Sequence, residues 1–111
     1  MTKEAYESLI ENAIHYYGKV HQQVKAIEEL GELITALSRH LNSNGTVYAD
    51  AVREEIADVA IILPQLARIF GSTEVDEFVE KKISRLHNRL KTEFGENYAT
   101  EKRDFETGSF R

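Results

Sequence analysis

The sequence predicts an all-α protein, an antiparallel bundle of about four long helices. Three observations carry this. Long stretches repeat apolar residues at the helical period. One Pro and six Gly in 111 residues leave few obligatory breaks. Leu, Ile, Ala, Glu and Lys are plentiful. A chain of this length makes one domain with one core. Residues 1–94 read as that domain and 95–111 as a polar tail packing on its own or a neighbouring subunit.

The first helix is expected over residues 3–17, with Thr2 as N-cap. Ala5, Leu9, Ala13 and Tyr17 mark its inner face, joined by Tyr6, Ile10 and Ile14. Gly18 breaks the chain. The second helix spans about 19–41, with Ile27, Leu30, Ile34, Leu37 and Leu41 as its apolar stripe. Asn42-Ser43-Asn44-Gly45 is a stop whose residues tolerate left-handed backbone. The third helix begins at Tyr48 or Ala49 and runs to about Phe70. Asp50 suits the dipole of its first turn. Pro64 removes a hydrogen bond and is expected to kink it. Gly71 ends it. Thr73 is the expected cap of the fourth helix, with Asp76 placed for a capping box. Val75, Phe78, Val79, Ile83, Leu86, Leu90 and Phe94 form its stripe. In the tail, Phe105 and Phe110 are isolated anchors.

A net charge of −5 without any basic run argues against nucleic-acid binding. The absence of cysteine excludes disulfides and thiolate metal sites. The N-terminus is acidic and lacks an apolar signal core. The run 59–64 is too short to span a membrane. A soluble cytoplasmic protein is expected.

The chemistry concentrates in two acidic stretches, Glu28-Glu29-Leu30-Gly31-Glu32 and Glu54-Glu55-Ile56-Ala57-Asp58. Each holds carboxylates three residues apart, Glu29 with Glu32 and Glu55 with Asp58. On a helix such residues share a face. Packed antiparallel, the two helices bring four carboxylates around one centre. Like charges that close repel unless a cation sits among them. A hard dication with oxygen ligands, Mg²⁺ or Mn²⁺, is the expected one. On the third helix Val52, Ile56, Val59, Leu63, Leu66 and Phe70 form an apolar stripe. Glu55 projects inside its arc, where an unpaired charge is costly. Asp58 lies at its edge. Glu29 and Glu32 lie beside the stripe of the second helix. Gln22 and Lys25 share their face and are candidates to line a pocket. Tyr16, Tyr17 and Tyr48 are weaker candidates to stack on a base.

These residues resemble the MazG-like branch of the all-α NTP pyrophosphatase superfamily. The resemblance rests on Glu-x-x-Glu, a spacer of about twenty residues, then Glu-x-x-Asp. The lead-in from Gln22 through Lys25 to Glu28-Glu29, and the later basic helix with Lys82 and Arg85, are similar too. It covers about residues 18–90. It implies Mg²⁺-dependent hydrolysis of a nucleoside triphosphate to monophosphate and pyrophosphate, in nucleotide-pool housecleaning. It implies that Glu29, Glu32, Glu55 and Asp58 hold metal and that Glu28 orients or deprotonates the attacking water. It also implies that Lys82 and Arg85 contact phosphates.

Competing expectations are a phosphoribosyl-ATP pyrophosphohydrolase of the same superfamily and a non-catalytic helical interaction module. A ferritin-type redox centre needs Glu-x-x-His on two helices, and His15, His21, His40 and His87 complete no such motif. Broad apolar stripes on every helix of a short chain predict a homodimer, and the resemblance implies dimers or dimers of dimers, that is, a homodimer or homotetramer.

Overall fold

The computed structural model describes residues 1–44 and 48–98. It has four helices, α1 (Lys3–Tyr17), α2 (Lys19–Asn42), α3 (Ala49–Phe70) and α4 (Ser72–Phe94). There is no strand among the described residues. The chain divides into two compact units, Met1–Val75 and Asp76–Arg111, so the division falls inside α4. Residues 99–111, with Phe105 and Phe110, lie outside the described residues, as does Gly45 of the expected stop.

The helix ends follow local chemistry. The Thr2 hydroxyl accepts from the Ala5 N–H at 3.1 Å and caps α1. Gly18, at φ 94°, donates its N–H to the Ile14 carbonyl and separates α1 from α2. Asn44 takes the left-handed conformation, φ 61°, just past α2. Asp50 sits in the first turn of α3 and pairs with Arg53 at 2.6 Å. α3 continues through Pro64 to Phe70.

The start of α4 differs from expectation. Thr73 is not the cap, because the helix begins at Ser72. Gly71, at φ 106°, both ends α3 and accepts the Val75 N–H on its carbonyl. One residue serves both helices, which draws Thr73 into the first turn. A Cβ on Gly71 would collide with the Glu74 carboxylate, which folds back over it.

Within the first unit α2 packs along α3, and α1 lies against both. Among the described residues the buried side chains are Ile10, Ala26, Ala36, Val59 and Ile62, together with the polar Gln22, Glu29 and Gln65. The buried line of α2 is therefore Gln22, Ala26, Glu29 and Ala36. The expected stripe is not its inner face: Ile27 is 70% exposed and Ile34 67%. α3 packs on the polar and small residues, which turns the larger aliphatics outward. The stripe of α3 is also rotated, since Val59 and Ile62 are buried whereas Ile56, Leu63 and Phe70 are exposed. Across the unit, Arg68 of α3 pairs with Glu11 of α1.

In the second unit, α4 buries none of its described side chains. Phe78, Val79, Ile83, Leu86 and Phe94 are exposed. Gly95, at φ 94°, turns the chain, and Tyr98 returns to hydrogen-bond His87.

Gln22 donates its amide to Gln65 at 2.6 Å in the buried space between α2 and α3. Removing one partner strands the other without water. Gln65→Leu should cost about 1–3 kcal/mol in urea unfolding, whereas the double change Gln22→Leu with Gln65→Leu should recover most of that loss. Equal instability of the single and double variants would show that the pair contributes nothing.

Candidate metal centre

The site is built on the line where α2 meets α3. Gln22 bonds Gln65, and further along Glu29 and Glu32 gather with Asp58 and Glu55. Rising numbers on α2 thus meet falling numbers on α3, which fixes the pair as antiparallel. The positions on α2 are spaced by threes and fours: Gln22, Lys25, Glu29, Glu32, Ala36, Arg39. The N-cap residue Tyr48 and positions on α3 repeat it: Tyr48, then Ala51, Glu55, Asp58, Ile62, Gln65. This is the seam spacing of paired helices, where apolar residues are usual. Here most of the seam is polar.

One carboxylate oxygen from each of Glu29, Glu32, Glu55 and Asp58 lies within 4.8 Å of all the others. Glu29 is buried, only 7% exposed, and Glu55 half-buried, whereas Glu32 and Asp58 reach solvent. Only one cation answers this charge at contact distance among the described residues. Lys25 Nζ lies 3.1 Å from Glu29 Oε1 and 3.9 Å from Glu28 Oε2. The hydrogen bond and charge of Glu29 hold the Lys25 ammonium above its ordinary pKa. The other oxygen of Glu29 is buried and unpartnered, as is Oε2 of Glu55. Burial pushes the Glu55 carboxyl above its ordinary range, with the Glu32 charge, a hydrogen bond with Glu32, and the charges of Asp58 and Glu29 adding to it.

Buried carboxylate oxygens without donors carry a large desolvation cost that a metal ion removes. The donors are all oxygen, two deep and two at the surface. That set fits a hard dication whose outer positions stay open to water or to phosphate oxygens. The four residues can hold such an ion.

The other expected site residues fall in several places. Glu28 is exposed beside the cluster and, with Glu32 and Glu55, lines one end of a groove of about 520 Å³. Lys25 faces the acids, as its pairing with Glu29 shows. Gln22 is buried and bonded to Gln65, so its amide is spent on the fold. Lys82 and Arg85 lie exposed on α4 in the second unit. Tyr16 and Tyr17 are exposed, and Tyr17 stacks on His21. Tyr48 lines the groove. Sequence reasoning passed over Gln65, Gly31 and Arg39. The three-four spacing shared by α2 and α3 is the signal that finds Gln65 and Arg39.

The raised Glu55 pKa has a stability consequence. In the metal-free protein the folded state holds the Glu55 proton more tightly than the unfolded chain does. Its contribution is present below about pH 4.5, the ordinary glutamate value, and is lost as pH rises through the raised one. Metal-free protein should therefore lose thermal stability as pH rises above about 4.5, and Mg²⁺ or Mn²⁺ should restore it near neutrality. Glu55→Gln should flatten both responses and raise the metal-free midpoint at neutral pH. A midpoint that ignores both pH and dication would remove the cluster as a metal centre.

Comparison with family models, with curated proteins and with solved structures found no match.

Proposed function

We propose that this chain is a Mg²⁺-dependent nucleoside triphosphate pyrophosphohydrolase, converting an NTP or dNTP and water to the monophosphate and pyrophosphate. One observation carries the reading. Four carboxylates converge, two of them, Glu32 and Glu55, lining an open groove, and the buried Glu29 has an oxygen without a partner. The resemblance to MazG-like enzymes supplies the reaction. The chemistry of the site supports it.

A triphosphate is strongly anionic, and an uncompensated acidic cluster would repel it. Glu29, Glu32, Glu55 and Asp58 would hold the dication. When bound, it neutralises phosphate charge and polarises the phosphorus under attack. Glu28 stands outside the four, exposed and next to them, which suits a base that must reach solvent water. The water oxygen forms the new bond to phosphorus, its proton passes to the Glu28 carboxylate, and the bond between the α- and β-phosphates breaks. Lys25 steadies Glu28 and Glu29 from the same helix, 3.9 and 3.1 Å away. The resemblance also assigns Lys82 and Arg85 to phosphate. They belong to the other unit, and the steps above draw only on the first.

The exposed aliphatic line of α2 and the stripe of α4 support assembly into a homodimer or homotetramer. No single helix among the described residues is long and apolar enough to cross a membrane.

With Mg²⁺, the wild type should release pyrophosphate from at least one canonical or damaged nucleotide. Glu55→Gln should abolish turnover with the helical circular dichroism unchanged. Glu28→Gln should slow turnover by about 10²–10⁴-fold while retaining Mn²⁺ binding. Loss of Mn²⁺ binding in Glu28→Gln would make Glu28 a ligand instead of a base. Absence of pyrophosphate across the panel, with no dication stabilisation, would favour the interaction-module reading. Sedimentation at micromolar concentration should show a dimer or tetramer, and a strict monomer would refute the assembly.

A further inference from the structure

The groove continues past the acids. Beyond Glu32 and Glu55 the seam carries Ala36 and Ala51, then Arg39 and Tyr48, and all of these line it. The small pair opens the seam, and the Arg and Tyr close its far end. From Glu32 to Arg39 is two helical turns, roughly 10 Å along the axis, the reach of a sugar and base beyond a phosphate. At about 520 Å³ the space is that of a small-molecule site.

Gly31 adds an independent observation. It lies in the interior of α2, where glycine weakens a helix relative to alanine. A Cβ at this position would meet nothing within 4 Å. Neither packing nor backbone conformation demands a glycine, yet Gly31 lines the groove. A ligand lying close against the helix would use such bare backbone.

We infer that the groove between α2 and α3 takes the nucleoside half of the substrate, that Tyr48 stacks on the base, and that Arg39 selects guanine. This deepens the pyrophosphohydrolase reading, on which it rests for the position of the phosphates. Tyr48 is 41% exposed, leaving ring surface free for stacking. Arg39 has no ionic partner among the described residues. A guanidinium offers donors only, in a fork. Guanine presents two acceptors, O6 and N7, on one edge, whereas adenine places a donor beside N7. Thr35, also in the groove, donates its hydroxyl to the Gly31 carbonyl and so keeps an oxygen lone pair for the sugar.

The test uses the full chain with Mn²⁺. GMP binding is read by calorimetry, and GTP and ATP turnover by pyrophosphate release. The wild type should bind GMP at least about tenfold tighter than AMP, and Arg39→Met should erase that preference while leaving AMP unchanged. Gly31→Leu, which fills the groove, should lose GMP binding by about tenfold or more, with Mn²⁺ affinity kept and the thermal midpoint equal or higher. Unaltered GMP binding in Gly31→Leu, or equal weakening of GMP and AMP in Arg39→Met, would overturn the inference; the latter would assign Arg39 to phosphate. A wild type that binds GMP but releases no pyrophosphate removes the catalytic reading and leaves the groove. Pyrophosphate release with no base preference, unmoved by Gly31→Leu, removes the groove and leaves the catalytic reading.

Discussion

Repulsion among four carboxylates is the constraint on which the first unit depends. A chain does not gather Glu29, Glu32, Glu55 and Asp58 within 4.8 Å for the sake of packing. Each added charge raises the cost of the others, and burial of Glu29 raises it further. Lys25 offsets one charge from one side only. The protonation of Glu55 above its ordinary range expresses the same excess. The fold thus holds a negative hollow whose energy falls when a cation enters it.

That hollow shapes the packing around it. Positions on α2 and α3 that would ordinarily carry leucine or isoleucine carry amides and acids. The buried apolar set shrinks to Ile10, Ala26, Ala36, Val59 and Ile62. The larger aliphatics of α2 are displaced to its outer face, where Ile27, Ile34 and Leu41 stand mostly exposed. Polar residues inside the seam and exposed aliphatics outside it are two results of one exchange of residues.

Much of this was legible in the sequence. The ends of α1, α2 and α3 follow from Thr2, Gly18, Asn44 and Gly71, whose preferences are local. The four acids were legible because their spacing is a property of a single helix. The buried face of α2 was not. Ile27, Leu30 and Ile34 make a convincing stripe, but an apolar pattern reports which face avoids water, and says nothing of which neighbour covers it. Gln65 was missed because an isolated Gln carries no signal until Gln22 stands opposite it. Thr73 was misplaced because Gly71 acts at two helix ends at once, which no single-helix rule weighs. Gly31 passed as an incidental helix residue until the space beside it was known.

The mixed character of the seam also bears on how the hairpin finds its alignment. A line of identical leucines would tolerate a slide of one heptad, with every contact replaced by a copy of itself. Here such a slide would set the Gln65 amide against charged side chains and part the acids from one another. Only one alignment satisfies every rung. The sequence between Gln22 and Gln65 therefore acts as a vernier, and a misaligned hairpin would disclose itself by parting the Gln22–Gln65 amide pair.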